Sequence, residues 1–378
     1  MQPSATIGHP LAVLTLVAAF GACTPDDGTS AAQGEGSTTT TEDSSGSAVD
    51  AADETATTGI EGDFEPDCEG AFEITEPDPN FTWTPLSIRL ASEQLSPGVF
   101  AVYDERAAQL TPEAAALATS GGFIIGDDGV LLVESMINQQ LTCQMYDLVR
   151  EQTSLPIRYI VNTSHHGDHS YGNHFHGADT QIVQHRETAA FVAEHFDADR
   201  DWMISNFGAN QGMEEVEPRA ADIEVGQDGW AVDLGGVTVE AHDFGFAQTH
   251  GDLWIWLPEQ RVLWTGNAQV TRNPGLPWLL DGRAQESVAT MRAVREFVPA
   301  GATVIPGHDT PQTTATFDFT IDYLDTLLVE VQAAVDDGLT LEETIAAVTM
   351  DEFRGYVLFD WVHPQINVTS TYADLTAD

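Results

Sequence analysis

The feature that most constrains this chain is a short apolar run followed at once by a cluster of histidine and acidic residues. Ile157–Val161 has the pattern of a buried strand, and Asn162-Thr163-Ser164 ends it, because short polar side chains bond their own backbone. Imidazole and carboxylate groups together suit zinc and related divalent ions. The stretch therefore predicts a metal-binding loop at a strand end, with a polar turn of solvated histidines as the alternative. The loop contains His165, His166, Asp168 and His169.

Three later strand ends carry polar residues of the same kind. Glycine stands beside the polar residues in each, and it lets the backbone turn sharply there. Strand-end loops on one edge of a sheet are where binding groups gather. These stretches are Gln248-Thr249-His250-Gly251-Asp252, Thr265-Gly266-Asn267 and Pro306-Gly307-His308-Asp309.

Strand and helix patterns alternate through most of the chain. A hairpin is predicted across Gly126-Asp127-Asp128-Gly129, a strand over residues 86–90 and a helix over residues 186–196. The mixture indicates one α/β or α+β domain in which helices cover the outer faces of stacked sheets. With 378 residues and 42% apolar content, the chain can bury a sizeable core.

The charge balance excludes some classes of partner. Asp and Glu number 60 against 13 basic residues, all of them arginine, which gives a net charge of −47. Such a field repels nucleic acid and anionic lipid headgroups, so neither is an expected partner of the folded domain, but it does not indicate the reaction. A saline habitat and a compositional bias of the source both remain open as explanations.

The N-terminal part predicts export. Residues 11–22 are apolar, too few to span a bilayer, and end in small residues before Cys23. Phe20-Gly21-Ala22-Cys23 resembles the lipobox of bacterial lipoproteins, which implies acylation of Cys23 and anchoring at the bacterial cell envelope. An ordinary secretory signal is the alternative. No Lys or Arg precedes the apolar run, and Phe20 stands where a small aliphatic residue is usual.

The residues after Cys23 divide into a tether and a folded domain. Residues 24–80 are rich in Ser, Thr, Asp and Glu and predict a disordered tether, because they bury too little apolar surface to offset the entropy of ordering. Residues 81–378 are predicted as the folded domain. Two further cysteines, Cys68 and Cys143, form either one disulfide or two free thiols.

The strand-end motifs resemble those of the metallo-β-lactamase superfamily over about residues 96–308, and the resemblance is expected to continue to the C-terminus. The family pattern is a His-x-His-x-Asp-His loop followed by His-Thr-x-Gly-Asp, Thr-Gly-Asp and Pro-Gly-His. The resemblance implies a four-layer αββα sandwich with metals at the edge of the two sheets. The corresponding stretches are Ser164-His165-His166-Gly167-Asp168-His169, Gln248-Thr249-His250-Gly251-Asp252, Thr265-Gly266-Asn267 and Pro306-Gly307-His308.

One of the two metal sites that the resemblance implies is complete. Members with two metals use an aspartate and two histidines for the second site, and here these are Asp168, His169 and His308. Zn²⁺ is the expected ion, with one tight site, although two imidazoles and a carboxylate also suit Fe²⁺. Glu134 matches a position where the family has an acid that supports the ligand loop, and it is expected to anchor the backbone around His169.

The other site departs from the family pattern. Three histidines would be expected, but the matching residues are Ser164, His166 and Gln248, and the bridging aspartate is Asn267. Ser164, Gln248 and Asn267 are therefore at most weak or bridging ligands. His166 keeps its imidazole, so it is a candidate both as a metal ligand and as a general base beside Asp168.

Two neighbouring histidines are expected to be surface or supporting residues. His165 lies between the usual ligand positions and should point away from them. His250 lies two residues beyond Gln248, in the same loop.

The motifs and their departures from the family pattern lead to two candidate functions. The first is an exported metal-dependent hydrolase acting on a lactam, lactone, ester or similar acyl compound, with Asp168 and His166 as catalytic residues. The alternative is a non-catalytic binding lipoprotein that keeps the fold with a degenerate metal site. The sequence leaves the substrate and the oligomeric state open.

Overall fold

Two β-sheets run through the part of the chain described by this computed structural model, which comprises residues 62–68, 73–78, 84–110 and 118–377. The predicted signal segment, Cys23 and residues 24–61 of the predicted tether lie outside these described residues. No helix among the described residues is long and apolar enough to cross a membrane.

The first sheet has seven strands in chain order. Its first four strands pair antiparallel, and its last four pair parallel. The strands are β1 (Leu90–Ser96), β2 (Val99–Asp104), β3 (Gly121–Gly126), β4 (Gly129–Val133), β5 (Ile157–Val161), β6 (Gln181–His185) and β7 (Ile223–Val225).

The second sheet has six strands in reversed chain order, and only β11 and β12 pair parallel. They are β8 (Trp230–Asp233), β9 (Thr238–His242), β10 (Trp254–Leu257), β11 (Val262–Gly266), β12 (Thr303–Pro306) and β13 (Gln312–Thr313).

Helices connect the strands and cover the outer faces of both sheets. Their bounds are α1 (Ala107–Leu110), α2 (Gln139–Arg150), α3 (Gly167–Ser170), α4 (Arg186–Phe207), α5 (Ala284–Phe297), α6 (Thr316–Asp336), α7 (Leu341–Ala347), α8 (Phe359–Trp361) and α9 (Thr369–Thr376). A π-helical segment, Val362–Val368, joins α8 to α9. Short 3-10 segments lie at Pro85–Ser87, Tyr171–Phe175, Asn267–Gln269 and Asp351–Phe353.

The alternation of side chains along the strands produces the layers. In β4, Val130 and Leu132 pack under the helices, whereas Leu131 and Val133 face the second sheet. The second sheet repeats the pattern, since the two tryptophans of β10 face α5 and α6 while Ile255 faces the first sheet. Because both faces of each sheet are apolar, the chain folds into the predicted αββα sandwich.

Glycine allows the two sheets to approach closely beside the edge where the predicted ligand loops lie. Trp264 of β11 donates from Nε1 to the carbonyl of Gly121 at 2.9 Å. A Cβ on Gly122 would come within 2.7 Å of the Trp264 ring, so glycine is required there. This contact fixes β3 against β11.

A disulfide joins Cys68 to Cys143 of α2, which confirms one of the two alternatives that the sequence left open. It closes a loop with a sequence separation of 75 residues, which corresponds to about 4 kcal/mol in the chain-entropy model. The neighbouring amide of Asp67 donates to the carbonyl of Phe175 at 2.7 Å. The tether was predicted to extend to residue 80. In the structure the disulfide and backbone hydrogen bonds hold part of it, residues 62–68 and 73–78, against the domain.

Candidate metal centre

The candidate ligands meet because parallel strands present their carboxyl ends at one edge. Asp168 and His169 lie in α3, the short helix that follows β5, and Glu134 directly follows the neighbouring parallel strand β4. In the second sheet, Asn267 follows β11 and His308 follows its parallel neighbour β12. The site therefore draws side chains from both sheets.

Three of the predicted ligands form one cluster. The Oδ2 atom of Asp168 lies 3.5 Å from Nε2 of His169 and 3.4 Å from Nε2 of His308. One donor atom from each residue lies within 4.8 Å of the others, and among the described residues this is the only such group of three. Donors about 2.1 Å from a tetrahedral ion stand about 3.4 Å apart, so the cluster fits a zinc-sized cation.

Buried groups fix the orientation of the ligands. The Nδ1 atom of His169 pairs with Oε1 of Glu134 at 2.9 Å, which leaves Nε2 directed at the cluster. The same carboxylate accepts from the hydroxyl of Thr163 at 2.5 Å and from its amide at 3.3 Å. Glu134 has a left-handed φ of 68°, which costs an L-residue on the order of 1 kcal/mol, so the surrounding contacts hold it there.

Asp168 also has a fixed rotamer. The hydroxyl of Thr119 donates to its Oδ2 at 2.5 Å, and both side chains are buried. The adjacent Ser120 binds the Pro-Gly-His loop, because its amide donates to the carbonyl of Gly307 at 2.7 Å and its hydroxyl to that of Asp309 at 2.8 Å. The segment before β3 therefore links the two ligand loops.

The electrostatics of the cluster favour a bound cation. Burial alone would lower the pKa of His169, but the carboxylates of Asp168 and Glu134 outweigh it and raise this pKa to about 9. Burial would raise the pKa of Asp168, and the imidazoles of His169 and His308 outweigh it and lower that pKa. The carboxylates of Asp168 and Glu134 thus stabilise positive charge at the cluster, which is where a divalent ion would bind.

The first-site positions present neutral groups. Ser164, Gln248 and Asn267 are buried. The side-chain oxygens of Ser164 and Gln248 have no hydrogen-bond partner of good geometry among the described residues, whereas the amide of Asn267 interacts with the His169 imidazole and helps to raise its pKa. Gly307 leaves room for Asn267, because a Cβ there would lie 2.2 Å from its Oδ1. Burial lowers the pKa of His166 to about 4, although Asp168 opposes the shift. A second dication would meet one imidazole and three uncharged oxygens.

His165 and His250, the other two histidines of the motif loops, lie outside the cluster. The ring of His165 stacks on Phe191 of α4, with the centroids 3.6 Å apart. His250 is exposed and lies edge-on to Phe246, at 5.2 Å between centroids. Neither contributes a donor atom to the group of Asp168, His169 and His308.

A cleft opens beside the cluster, and its lining residues divide by chemistry into a polar set and a predominantly apolar set, here called its polar and apolar halves. It contains about 580 Å³ of empty space, including its open mouth. Its polar half is lined by His166, Asp168, Gln248, Asn267 and His308. Its other half is predominantly apolar and is lined by Trp202, Met203, Phe207, Val270, Thr271, Trp278, Leu280 and Tyr356.

The sequence does not predict several of the residues that support the ligands or line the cleft. Thr119 is a single threonine before a strand, and no local pattern connects it with Asp168 across 49 residues. Tyr356 and Trp202 lie in helical or irregular segments whose composition carries no cleft signal. Trp278 is the exception, because the Pro-rich apolar stretch over residues 273–278 is typical of a loop facing a cleft.

Known proteins similar to this chain include one family and two solved structures. The family model described as "Metallo-beta-lactamase superfamily" matches residues 115–312. The structure is similar to a metallo-beta-lactamase from Pontibacter korlensis at 16% identity and a TM-score of 0.47, covering 62% of this chain and 99% of that one. It is also similar to the solved structure of TMB-1, at 16% identity and a TM-score of 0.48, covering 62% and 97%. No curated protein sequence matches the chain.

Proposed function

The chain belongs to the metallo-beta-lactamase superfamily, and from that premise we propose that it is an exported metal-dependent hydrolase with one tightly held divalent ion. The observation that carries the proposal is the cluster of Asp168, His169 and His308, whose donor separations suit a tetrahedral cation. The Glu134 carboxylate behind His169 adds support, because catalytic and structural metal sites usually fix their imidazoles in this way.

In the proposed mechanism the chain's residues hold the ion and position the reactants. When bound, the ion supplies Lewis-acid chemistry, lowering the pKa of coordinated water to about 7 and polarising an acyl carbonyl. His166 lines the same cleft and is the candidate to accept a proton at its imidazole. The buried amides of Gln248 and Asn267 are available to bind polar atoms of the substrate.

The proposed substrate is a lactam, lactone, ester or similar small acyl compound. The cleft combines apolar and aromatic lining residues with a few polar groups, as small-molecule sites usually do. Zn²⁺ is the proposed ion, and Fe²⁺ is the second choice because the donor set of two imidazoles and one carboxylate suits it.

A non-catalytic binding lipoprotein is the second candidate function. The neutral residues Ser164, Gln248 and Asn267 favour it, because each replaces a family ligand with a poorer one. Under this proposal the fold would persist without a working metal centre.

Metal analysis followed by a hydrolase screen separates the two proposals. Purified protein, dialysed after zinc loading, should retain close to one equivalent by elemental analysis. It should hydrolyse at least one of a chromogenic cephalosporin, an acyl-homoserine lactone and p-nitrophenyl acetate, and 1,10-phenanthroline should remove the activity until zinc is restored. Protein that retains no metal would contradict the hydrolase and favour the binding lipoprotein.

We also propose anchoring through lipid on Cys23, which the small residues before it support. Cys23→Ser should move the protein from the membrane fraction to the soluble fraction of a bacterial host. A mature N-terminus elsewhere that carries no lipid would contradict the anchor.

A further inference from the structure

The C-terminal region of the chain contributes to the cleft although it lies beyond the family match. The match ends at residue 312, whereas the described chain continues through α6, α7, α8 and α9. Tyr356 from this region lines the cleft and is buried. The region therefore takes part in the site as well as in packing.

The C-terminal region also fixes a loop that forms one wall of the cleft. This loop comprises residues 273–280 and is called the cleft loop. Asn367 binds the backbone of this loop twice, because its Oδ1 accepts from the amide of Leu279 at 3.0 Å and its Nδ2 donates to the carbonyl of Pro277 at 2.8 Å. The hydroxyl of Ser370 donates to the carbonyl of Leu279 at 2.8 Å. Three side-chain hydrogen bonds thus fix the backbone on both sides of Trp278.

Asn367 is itself held in a single orientation. It is fully buried in the π-helical segment, and its Nδ2 also donates to the hydroxyl of Tyr323 at 2.9 Å. That hydroxyl pairs with Nδ1 of His363 at 2.9 Å, and Nε2 of His363 pairs with the carbonyl of Val348 at 2.9 Å. A buried, fully bonded polar network specifies one arrangement, and π-helical turns often occur at functional sites.

Aromatic packing extends the same wall. The ring of Trp278 meets that of Trp361 from α8 edge-on, with centroids 5.2 Å apart. Gly355 lies tightly against the cleft loop, since a Cβ there would be 3.0 Å from Cγ of Pro274. Helix α4 contributes Trp202 and Phe207 to the lining of the same cleft.

We propose that this aromatic half of the cleft binds an aromatic or branched apolar group of the acyl substrate, and that Asn367 positions Trp278 for it. The inference rests on the proposed hydrolase function and adds its substrate class. Trp278 and Tyr356 line the same cleft as Asp168 and His308, so a substrate whose carbonyl lies beside the ligand cluster has apolar and aromatic side chains within the same cleft for its neighbouring group. No arginine lines the described cleft and the net charge is −47, so a neutral group is favoured over an anionic one.

A pair of esters tests the subsite with the zinc-loaded protein. The p-nitrophenyl ester of phenylacetic acid should be hydrolysed with a higher kcat/KM than that of acetic acid. Tyr356→Ala should lower this preference about tenfold, chiefly through KM, because the lost ring contact affects only the larger acyl group. An unchanged preference in this variant would overturn the subsite.

The positioning role of Asn367 has its own comparison. Asn367→Leu should lower the same preference about threefold, since a displaced Trp278 fits the aromatic group less well. Thr369→Ala is the matched control, because its hydroxyl bonds Pro364 of its own helical segment at 3.0 Å. If Asn367→Leu does not fold, Ser370→Ala takes its place as the test variant, because it removes one of the three hydrogen bonds to the cleft loop. The positioning role would be overturned if the test variant (Asn367→Leu, or Ser370→Ala in its place) showed the same preference for the phenylacetic ester as Thr369→Ala.

A binding measurement separates this inference from the hydrolase proposal. Metal-stripped protein should bind the neutral fluorophore N-phenyl-1-naphthylamine, and Tyr356→Ala should weaken that binding severalfold. Probe binding with this dependence but no ester hydrolysis would support the aromatic subsite while contradicting the hydrolase. Hydrolysis without aromatic preference and without probe binding would overturn the subsite while leaving the hydrolase in place.

Discussion

Two groups of residues both lie in strand-end loops and differ in what supports them. The ligand cluster (Asp168, His169 and His308) contains a carboxylate and two imidazoles, and Glu134 and Thr119 fix two of its members. The neutral group (Ser164, Gln248 and Asn267) contains no charged side chain, and among the described residues the oxygens of Ser164 and Gln248 have no partner of good geometry. The comparison teaches that strand ends place side chains close together. Whether those side chains suit a metal depends on their chemical type and on the hydrogen bonds that orient them.

Charge decides the difference between one metal and two. Two dications about 4 Å apart repel by on the order of 15 kcal/mol at an effective dielectric constant of about 20. A bridging carboxylate offsets part of this repulsion, and the amide of Asn267 has no net charge with which to do so. We therefore expect the neutral group to leave the ligand cluster with a single ion.

Removal of a ligand is the most severe test of the comparison. Asp168→Ala should abolish tight zinc binding and any hydrolysis, because it removes the only carboxylate among the three donors. Ser164→Ala, in the same loop, should retain close to one equivalent after dialysis. Equal losses in the two variants, measured by elemental analysis, would mean that Ser164 belongs to the ligand set.

Conversion of the neutral group tests the same difference in the opposite direction. The triple variant Ser164→His, Gln248→His and Asn267→Asp should bind a second equivalent of zinc, because it restores three imidazoles with His166 and a bridging anion. Elemental analysis and a zinc titration provide the measurement. A wild-type protein that already holds two metals would refute the assignment of a neutral group.

A smaller effect is expected from the residue behind His169. Glu134→Gln should weaken zinc affinity about 10- to 100-fold, because the amide holds the imidazole less well than the carboxylate does. Glu240→Gln is the matched control, since Glu240 pairs with His242 at 2.8 Å in a half-exposed position on β9. Competition with a chromogenic chelator measures both affinities, and equal values would show that Glu134 acts only in folding.

The strand-end motifs were predictable because each consists of a few adjacent residues. Ligand type, the preceding apolar run and a flanking glycine are all local properties, and they led to the αββα sandwich through the family resemblance. The donor distances, by contrast, depend on the packing of two sheets. The contact of Thr119 with Asp168 joins segments 49 residues apart, and no sequence pattern encodes it.

Some local predictions were wrong for identifiable reasons. Residues 86–90 were expected to be a strand, but Pro85 opens a 3-10 turn in which the hydroxyl and amide of Ser87 donate to the carbonyl of Thr84, and β1 begins only at Leu90. The helix predicted to end at residue 196 continues to Phe207. A largely charged stretch at residues 197–201 interrupts the apolar pattern and conceals the return of the buried face at Met203.

The origin of the ligands in different sheets has a consequence for folding. Asp168 and His169 follow a strand of the first sheet, and His308 follows a strand of the second, whereas the core between the sheets is apolar and makes few directional contacts. An ion held by all three would cross-link the two sheets and would bind only the folded chain. At a free concentration about 1,000 times its Kd, such an ion adds about 4 kcal/mol to the free energy of unfolding. The folded population would then depend on the metal supply of the surroundings.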